Sequence, residues 1–306
     1  MRGTGARVAA LIALLVIVAA LACRPEPPPV GPRYLEAPPP TQVRSFTFAV
    51  HPLHNPATLG ATYRPLTDHL GRALPGTRFE LVASRDYAEF EGKIRERGPA
   101  FLLPNPWQAL RAQEAGYEVI AMAGDPEDFK GLLLVRRDSG IRELRDLRGR
   151  TISYPSPTAV AACIMPQSLL HGAGLDVMHE ITHRYVGSQE SSIMNVYLNL
   201  STAGATWPPP WRAFQKAHPK EAAQLRVLAE TPSLVNNAVM ARKDVPPEIR
   251  DRVREVLLHL HEHPEGRGIL EGMETRRFHP AEDATYDPVR RYLERFEREV
   301  RPVVQP

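Results

Sequence analysis

The sequence has little that would support a disulfide scaffold, a nucleic-acid interface or a nucleotide-dependent enzyme. Its 306 residues include only two cysteines, Cys23 and Cys163, which are too few for a disulfide framework. The net charge is only +3, and no run of lysines and arginines is interleaved with aromatics, which argues against nucleic acid as a partner. No G-x-S-x-G, phosphate-binding P-loop or G-x-G-x-x-G motif occurs. These absences predict a protein without a cofactor and without a nucleic-acid partner.

The N-terminus lacks an apolar run long enough for a typical membrane span. The run from Val8 to Ala22 is preceded by two arginines and is shorter than the ~20 residues that a spanning helix needs. It ends in Ala20-Leu21-Ala22-Cys23, which resembles a lipobox, the site where bacterial lipoproteins are cleaved and acylated. We therefore predict a lipoprotein signal peptide over residues 1–23, with lipid attached to Cys23. The alternatives are an ordinary signal peptide and an N-terminal anchor helix.

Proline is concentrated directly after this segment. The stretch from Arg24 to Gln42 holds eight of the chain's 31 prolines, a composition that excludes a helix or a central strand and favours an extended polyproline conformation. We predict a tether over residues 24–43 between the lipid and the folded body, and a proline-recognition motif is the alternative. With Cys23 acylated, Cys163 has no partner for an intrachain disulfide, and its apolar helical surroundings indicate a buried small side chain.

About 260 residues remain, enough for two lobes of ordinary size. Strand patterns alternate with amphipathic helix patterns at a spacing typical of mainly parallel sheets. In the first half we predict strands at Ser45–Val50, Phe79–Ala83, Ala100–Leu103 and Val119–Ala123. In the second half we predict them at Gly131–Arg136, Thr151–Tyr154, Arg184–Val186, Gly204–Trp207, Leu225–Glu230 and Asn236–Ala241. The last two are expected to return to the first lobe, and Pro208–Ala217 is expected to be an irregular insertion.

The stretch from Phe129 to Pro166 organises this prediction. Leu132–Val135 is uniformly apolar, as in a strand that is buried on both faces. A second strand, Thr151–Tyr154, ends in a loop of small residues, and Ala159–His171 then has a helix pattern. Thr158 is expected to cap this helix, so that free backbone N–H groups face the end of the strand. This order of elements predicts an α/β domain whose ligand lies at the carboxyl ends of the strands.

The same stretch carries a family resemblance. Ser139–Gly149 reads S-G-I-x-x-L-x-D-L-x-G and is followed by a proline-containing loop and a helix with Pro166. Shorter matches lie in order along the chain, at Tyr63-Arg64-Pro65-Leu66, Asp86-Tyr87, Gly187-Ser188-Gln189-Glu190 and Tyr286-Asp287-Pro288-Val289-Arg290. In their order and spacing these segments resemble the periplasmic phosphonate-, phosphate- and phosphite-binding proteins of ABC importers.

The resemblance implies the fold and the domain bounds. The fold is expected to be α/β, of the two-lobe periplasmic-binding-protein type II, with each lobe a mainly parallel sheet flanked by helices. Lobe 1 would comprise residues 44–132 and 233–306, and lobe 2 would comprise residues 133–232. Hinge strands are expected near Gly131–Val135 and Thr231–Asn237, where closure around a ligand would take place.

The resemblance also implies a function. The chain is expected to be the solute-binding lipoprotein of an ABC importer, anchored by lipid in the periplasm and capturing a small oxyanion or related solute, such as phosphonate, phosphate or phosphite. Its partners would be this small-molecule ligand and an ABC permease in the inner membrane. The alternative is a sensory or scaffold lipoprotein of the same fold that signals to a membrane partner without transport.

Candidate ligand residues lie in the loops that bring helix N-termini into the cleft between the lobes. They are polar residues of these loops and aromatic residues near predicted strand ends. The candidates are Tyr63, Tyr87, Asn105, Trp107, Ser156, Thr158, Ser188, Gln189, Glu190, Thr202 and Trp207. For the aromatic residues the alternative is a position in the core or at the rim, and for any one loop it is a purely structural helix start.

Three motifs depart from the pattern that the resemblance implies. The family's Ser-Thr-Ser-Gly, which supplies hydroxyls to phosphoryl oxygens, aligns with Ala159–Ala162, so that only Ser156 and Thr158 could still donate. Gln189 stands in place of the family's histidine, and Thr202 in place of its aspartate. A hydrogen bond to a charged group contributes roughly 1.5–3 kcal/mol, against about 8 kcal/mol for micromolar binding. The departures therefore indicate either a different ligand, larger or less charged, or compensation by another loop.

One motif is typical of a metal-dependent enzyme. The segment His259–His263 contains H-x-x-E-H, the spacing of an inverted zinc-protease motif. Pro264 ends the predicted helix at once, and the sequence offers no evident third ligand. Histidines at the C-terminal end of a helix are also favoured by the helix dipole. We therefore predict no enzyme activity and no metal site.

Overall fold

The computed structural model describes residues 43–54 and 56–303. The predicted signal peptide, the acylated Cys23 and the tether up to Gln42 lie outside the described residues. Among the helices that are described, none combines the length and the apolarity needed to cross a membrane. The described part of the chain forms two sheets with helices packed on them, as predicted for a two-lobe α/β protein.

Strands and helices alternate through the described residues. The strands are β1 Arg44–Val50, β2 Thr77–Val82, β3 Phe101–Leu103, β4 Tyr117–Ala123, β5 Leu132–Arg136, β6 Arg150–Tyr154, β7 Ile181–Tyr185, β8 Ala203–Thr206, β9 Leu225–Glu230, β10 Asn237–Arg242 and β11 Phe278–His279. The helices are α1 Pro56–Ala73, α2 Tyr87–Arg95, α3 Pro106–Glu114, α4 Met165–Gly172, α5 Gln189–Tyr197, α6 Pro208–Ala217, α7 Pro219–Ala222, α8 Pro247–His259, α9 Pro264–Gly272 and α10 Asp287–Glu299. A π-helical turn, Val160–Ile164, leads directly into α4.

The first sheet has the strand order β11-β4-β10-β3-β1-β2. Strand β1 is parallel to β2 and β3, whereas β10 lies antiparallel between β3 and β4, and β11 is antiparallel to β4. The apolar residues of β3, Phe101–Leu103, are buried in its centre, and helices α1, α3 and α8 pack against the sheet. We refer to this sheet and its helices as lobe 1.

The second sheet has the order β7-β6-β8-β5-β9. Strand β6 is parallel to β7 and β8, and β5 is antiparallel to β8 and β9. Helix α5 packs on this sheet, where Ser153 Oγ donates to Ser192 O at 2.9 Å and Ser192 Oγ donates to Ala205 O at 2.8 Å. Most strands of each sheet run in one direction, and β5, β10 and β11 are reversed. We refer to this sheet and its helices as lobe 2.

Two neighbouring segments connect the lobes. The chain leaves lobe 1 through Phe129–Gly131 and returns through Thr231–Leu234. Gly131 N donates to Thr231 Oγ1 at 2.8 Å, and Thr231 N donates to Gly131 O at 2.9 Å. Leu234 N donates to Phe129 O at 2.9 Å. These bonds join the two crossings to each other, and the second crossing then delivers β10 into the middle of the first sheet.

Two sequence predictions about elements are wrong. Leu225–Glu230, predicted to return to lobe 1, forms β9 at the edge of the second sheet, beside β5. Pro208–Ala217, predicted to be irregular, is the helix α6. Prolines fit the first turn of a helix because the backbone N–H groups there have no partner within the helix. Trp211 and Phe214 then bury one face of α6 against lobe 2.

Candidate functional site

The carboxyl ends of strands from both lobes meet at a polar interface. Asn105 precedes α3 in lobe 1, and Thr158 follows β6 in lobe 2. Asn105 Nδ2 donates to Thr158 O at 3.2 Å, while Asn105 Oδ1 accepts from Gln108 N at 3.0 Å and so caps α3. One side chain therefore starts a helix of lobe 1 and also holds a loop of lobe 2.

A carboxylate makes a second contact across this interface. Glu91 on α2 is only 4% exposed, and its Oε1 accepts from Thr158 Oγ1 at 2.8 Å and from Gln108 Nε2 at 3.1 Å. Ser156 Oγ lies 3.0 Å from Thr158 Oγ1. The prediction that Thr158 caps the following helix is wrong, since the π-helical turn at Val160–Ile164 starts without a side-chain cap. The hydroxyl of Thr158 is engaged with lobe 1 instead.

Gln189 makes a third contact between the lobes. Its Nε2 donates to Tyr87 OH of lobe 1 at 3.4 Å, and its Oε1 accepts from Thr206 Oγ1 at 3.0 Å. All three side chains are buried. Ser188 caps α5, as predicted, by accepting from Ser191 N at 3.1 Å. The cap fixes the start of the helix on which Gln189 lies.

A cavity of about 20 Å³ lies between the lobes, enough for a group of about the size of one water molecule. Tyr63 from α1 and Trp207, which precedes α6, both line it. Asn237 also lines the cavity, and its buried Oδ1 has no hydrogen-bond partner in the described part of the chain. A ligand group that donates a hydrogen bond would satisfy this oxygen. The lining also includes one histidine and two carboxylate residues, namely His54, Asp128 and Glu274.

Ion pairs join lobe 2 to lobe 1 beside the cavity. Arg212 on α6 makes a bidentate pair with Asp128 at 3.0 and 2.9 Å, and its Nε donates to Glu274 Oε2 at 3.2 Å. Lys216 Nζ, one turn later, lies 2.6 Å from Glu274 Oε1. The two carboxylates that line the cavity are therefore compensated by lobe 2. Partly exposed pairs of this kind contribute up to about 1 kcal/mol each, and they also fix how the lobes meet.

Burial determines the protonation of the groups around the interface. It lowers the pKa of His51 to about 4, and it also lowers the pKa of His54, against the opposing effect of nearby carboxylates. Burial raises the pKa values of Tyr63 and Tyr87 above that of an ordinary phenol. Near neutral pH these four side chains are therefore neutral partners for hydrogen bonds.

Acidification is expected to destabilise the protein through His51. The unfolded chain binds a proton at this imidazole near pH 6.5, whereas the folded protein binds it only at about pH 4. The folded state thus favours the neutral imidazole. The free energy of unfolding is therefore undiminished above pH 6.5 and decreases as the pH falls from 6.5 toward 4, where the unfolded chain binds the proton and the folded protein does not. At about pH 5 the loss should reach about 2 kcal/mol. Urea unfolding at about pH 7.5 and at about pH 5 measures this loss of unfolding free energy, which should be smaller by about 2 kcal/mol in His51→Gln than in the wild type. Equal losses in the two proteins would contradict the assignment to His51.

The predicted site residues fall into three groups. Tyr63 and Trp207 line the cavity. Five others lie at the polar interface: Tyr87, Asn105, Thr158 and Gln189 make hydrogen bonds between the lobes, and Ser156 bonds to Thr158 within lobe 2. The remaining predicted residues belong to neither group, and these are Trp107, Ser188, Glu190 and Thr202.

Each residue of the third group has a local role. Trp107 lies half-buried on α3, and the guanidinium carbon of Arg111 is 5.5 Å from the centre of its ring. Glu190 pairs with His218 Nε2 at 3.4 Å. The backbone N–H of Thr202 donates to Thr151 O between β8 and β6. None of these side chains is a lining residue of the cavity described above.

Sequence reasoning missed Glu91, Gln108 and Asn237. A signal for Gln108 is present, because Asn105-Pro106-Trp107-Gln108 has the spacing of a capping box, and both reciprocal bonds of that box are formed. The ion pairs of Arg212 carried no such signal, since their acidic partners lie 84 and 62 positions away in the chain.

The H-x-x-E-H segment does not lie on one helix. Helix α8 ends at His259, a 3-10 turn follows at Leu260–Glu262, and α9 begins at Pro264. His259 Nδ1 lies 2.8 Å from Glu262 Oε1. In the part of the chain that the structure describes, no group of three His, Cys, Asp or Glu side chains could hold a metal ion.

Two α/β lobes joined by a pair of crossings, with a small cavity between them, are the architecture of the periplasmic binding proteins of the type II fold. Residues 48–286 match the family described as "ABC transporter, phosphonate, periplasmic substrate-binding protein". The match spans most of the chain. The chain belongs to this family, as its sequence motifs predicted.

Solved structures show the same fold. PhnD1 from Prochlorococcus marinus, solved in complex with methylphosphonate, has a TM-score of 0.77 at 18% identity, with 83% of this chain and 98% of that chain covered. The binding-protein component of an ABC phosphonate transporter from Pseudomonas aeruginosa has a TM-score of 0.76 at 16% identity, with 84% and 87% covered. At these identities the likeness establishes the fold.

A curated relative of a different class is also similar. The tetrathionate sensor histidine kinase TtrS of Salmonella typhimurium is 22% identical over 172 residues, which are 54% of this chain and 29% of the relative. The chain thus spans less than a third of the length of this curated relative. The proteins to which this chain is similar thus include a sensor histidine kinase as well as the binding component of an ABC transporter.

Proposed function

We propose that the protein captures a small solute between its lobes and presents it to the permease of an ABC importer. The observation that carries this proposal is the cavity, where Tyr63 and Trp207 lie together with the unpartnered and buried Asn237 Oδ1. Six buried side-chain polar atoms of the described residues have no hydrogen-bond partner, and the oxygen of Asn237 is the one among them that belongs to a lining residue of the cavity. Because such atoms usually find a partner, we take this oxygen as a ligand-binding group. Membership of a phosphonate-binding importer family supports a phosphonate-, phosphate- or phosphite-like ligand.

Because the cavity has room for a group of about one water molecule, entry and binding of a larger solute require the lobes to separate and then to close less tightly than they do here. The contacts of Thr158 with Asn105 and Glu91 would then break, and so would the ion pair of Arg212 with Asp128. The bonds between the two crossings can persist, so we propose these crossings as the hinges. A ligand that touches Tyr63 of lobe 1 and Trp207, which directly follows β8 of lobe 2, binds the closed form more tightly than the open form and so stabilises it. The permease would recognise the closed form.

Attachment to the membrane is a further part of the proposal. We propose that Cys23 carries the lipid and that residues 24–43 tether the folded body to the membrane on the periplasmic side. Metabolic labelling with radioactive palmitate tests this. The wild type should incorporate the label and Cys23→Ser should not, whereas an unlabelled wild type or a labelled variant would contradict lipid attachment at Cys23.

The similarity to TtrS supports a second candidate function, because that relative is a sensor histidine kinase. The same cleft would then report on a ligand to a membrane partner without transport. Uptake of radiolabelled methylphosphonate, phosphite and phosphate separates the two functions. An importer component is required for uptake of its ligand, so a deletion strain should lose uptake and regain it from the full-length gene. Normal uptake in the deletion strain would favour the sensor.

The site itself can be tested with a pair of tryptophans. Trp207→Ala removes a lining side chain of the cavity, whereas Trp107→Ala removes one that lies outside it. We expect Trp207→Ala to weaken binding of the most tightly bound solute by about tenfold or more, and Trp107→Ala to change it by less than about twofold. Titration calorimetry against methylphosphonate, phosphite, phosphate and neutral metabolites measures this. Equal effects of the two variants would place the ligand elsewhere.

A further inference from the structure

Glu91 brings a buried carboxyl group to the place where the lobes meet. The residue is buried, and a buried carboxylate is costly unless donors compensate it. Its Oε1 receives one hydrogen bond from each side, from Gln108 Nε2 of lobe 1 and from Thr158 Oγ1 of lobe 2. The carboxylate therefore takes part in holding the lobes together.

The hydroxyl protons of the lobe 2 loop are all used by this arrangement. A hydroxyl has a single proton, and that of Thr158 is donated to Glu91 Oε1 at 2.8 Å. In the contact of 3.0 Å between Ser156 Oγ and Thr158 Oγ1, Ser156 must then be the donor. Both hydroxyls of the loop are thus engaged within the protein, and their chain of bonds ends on the carboxylate.

The same loop stands where an α/β protein offers donors to a ligand. It follows the carboxyl end of β6 and precedes the turn that leads into α4. Hydroxyl and amide donors at such a place suit an oxyanion. The oxygen that receives them here is a side-chain oxygen of Glu91. A ligand oxyanion that approached this loop would have to compete with Glu91 for the protons of Thr158 and Gln108, and it would also be repelled by the charge.

We propose that Glu91 is a specificity-determining residue that weakens the binding of anionic solutes. Its carboxylate occupies the donors of the lobe 2 loop, so that a solute whose oxyanion reaches this loop must displace it. The proposal rests on the proposed function, because it assumes that the ligand enters between the lobes. It predicts that removing the charge of Glu91, with its shape kept, increases the affinity for anions.

The test compares carboxylate-to-amide changes at two positions of α2. Glu91→Gln keeps the size of the side chain and removes its charge. Glu89→Gln makes the same change at a partly exposed position, where the carboxylate pairs with Lys93 at 2.8 Å. Titration calorimetry on the full-length protein with methylphosphonate and with inorganic phosphate should show an affinity about tenfold higher, or more, in Glu91→Gln and a change below about twofold in Glu89→Gln.

Two further variants make the outcome decisive. Glu91→Asp keeps the carboxylate and should not increase the affinity for anions. Glu91→Met removes both the carboxylate and its acceptor oxygens. It replaces Glu91→Gln in the test if circular dichroism shows that Glu91→Gln does not fold. If the folded neutral variants bind both anions no more tightly than the wild type, the inference is overturned. If these variants show no gain for anions while a neutral metabolite binds to the wild type, and Trp207→Ala weakens the binding of that metabolite, the proposed capture of a solute still stands. If no solute binds to any variant, both fall.

Discussion

Replacing Gly131 with alanine is expected to lower the free energy of unfolding by about 3 kcal/mol. A Cβ atom at this position would lie 2.6 Å from Ala161 O and 2.8 Å from two ring carbons of Pro166. Backbone and a proline ring cannot rotate away, so the crossing or the π-helical turn must shift. Gly131 also holds the second crossing, through Thr231 Oγ1 at 2.8 Å. Urea unfolding of the variant and the wild type measures the effect.

Gly268→Ala is the matched control for this prediction. Gly268 lies within α9, and a Cβ atom there would meet nothing within 4 Å. Alanine is a better helix former than glycine, so this variant should be as stable as the wild type or more stable by up to about 1 kcal/mol. If Gly131→Ala behaved like Gly268→Ala, the crossing would have more room than the structure shows. Its close approach to the turn after Thr158 would then not constrain the hinge.

Local sequence patterns predict the elements of this fold well, and they fail where pairing is decided over long distances. The uniformly apolar run Leu132–Val135 predicts a buried strand, and β5 is found there. Leu225–Glu230 and Asn236–Ala241 have similar strand patterns, yet they enter different sheets. Val239 pairs with Ala121, far away in the chain. A strand pattern records which faces are buried, and it does not record the partner strand.

The same limit applies to the site. Thr158 has the position of a helix cap, and its hydroxyl could have accepted a backbone N–H of the next turn. In the structure this hydroxyl donates a hydrogen bond to the buried carboxylate of Glu91, and it caps no backbone N–H of the next turn. Glu91 has a charged residue two positions away on either side, and its residue type is typical of an exposed position. It nevertheless follows Tyr87 by four residues and precedes Ile94 by three, which places it on the buried stripe of α2. Periodicity therefore carried a signal that the residue type concealed.

The aromatic candidates show what position alone can predict. Trp107 and Trp207 both stand at or near a predicted strand-to-helix loop, and only Trp207 is a lining residue of the cavity described above. Trp107 lies within the first turn of α3, whereas Trp207 is the residue before α6. A shift of one residue at the start of a helix turns a side chain by about 100°. Predicted helix bounds are seldom that accurate, so the two tryptophans could not be told apart from the sequence.

Replacing Arg301 with alanine is expected to cost about 3 kcal/mol of stability. This arginine follows α10 and is only 7% exposed. Its Nε donates to Gln167 Oε1 at 2.7 Å and its Nη2 donates to Pro157 O at 3.0 Å. Both acceptors are buried, and each would lose this donor, at a cost of about 1–3 kcal/mol apiece. Arg298→Ala removes an exposed arginine of the same segment and should change stability by less than about 0.5 kcal/mol.

The thiol of Cys163 reports where this stability is lost. Arg301 Nη2 lies 3.5 Å from its Sγ, yet burial prevails and raises the pKa of the thiol to about 12. In the folded protein the thiol is therefore inert, and labelling by a thiol reagent requires the loop after β6 to open. In a Cys23→Ser background, where Cys163 is the sole cysteine of the sequence, Arg301→Ala should be labelled about a hundredfold faster than Arg298→Ala.

Unchanged labelling together with lower stability would mean that Arg301 secures the end of α10 alone. Faster labelling would mean that the C-terminal segment, which packs with lobe 1 through α10, clamps the loop of lobe 2 that carries Ser156 and Thr158.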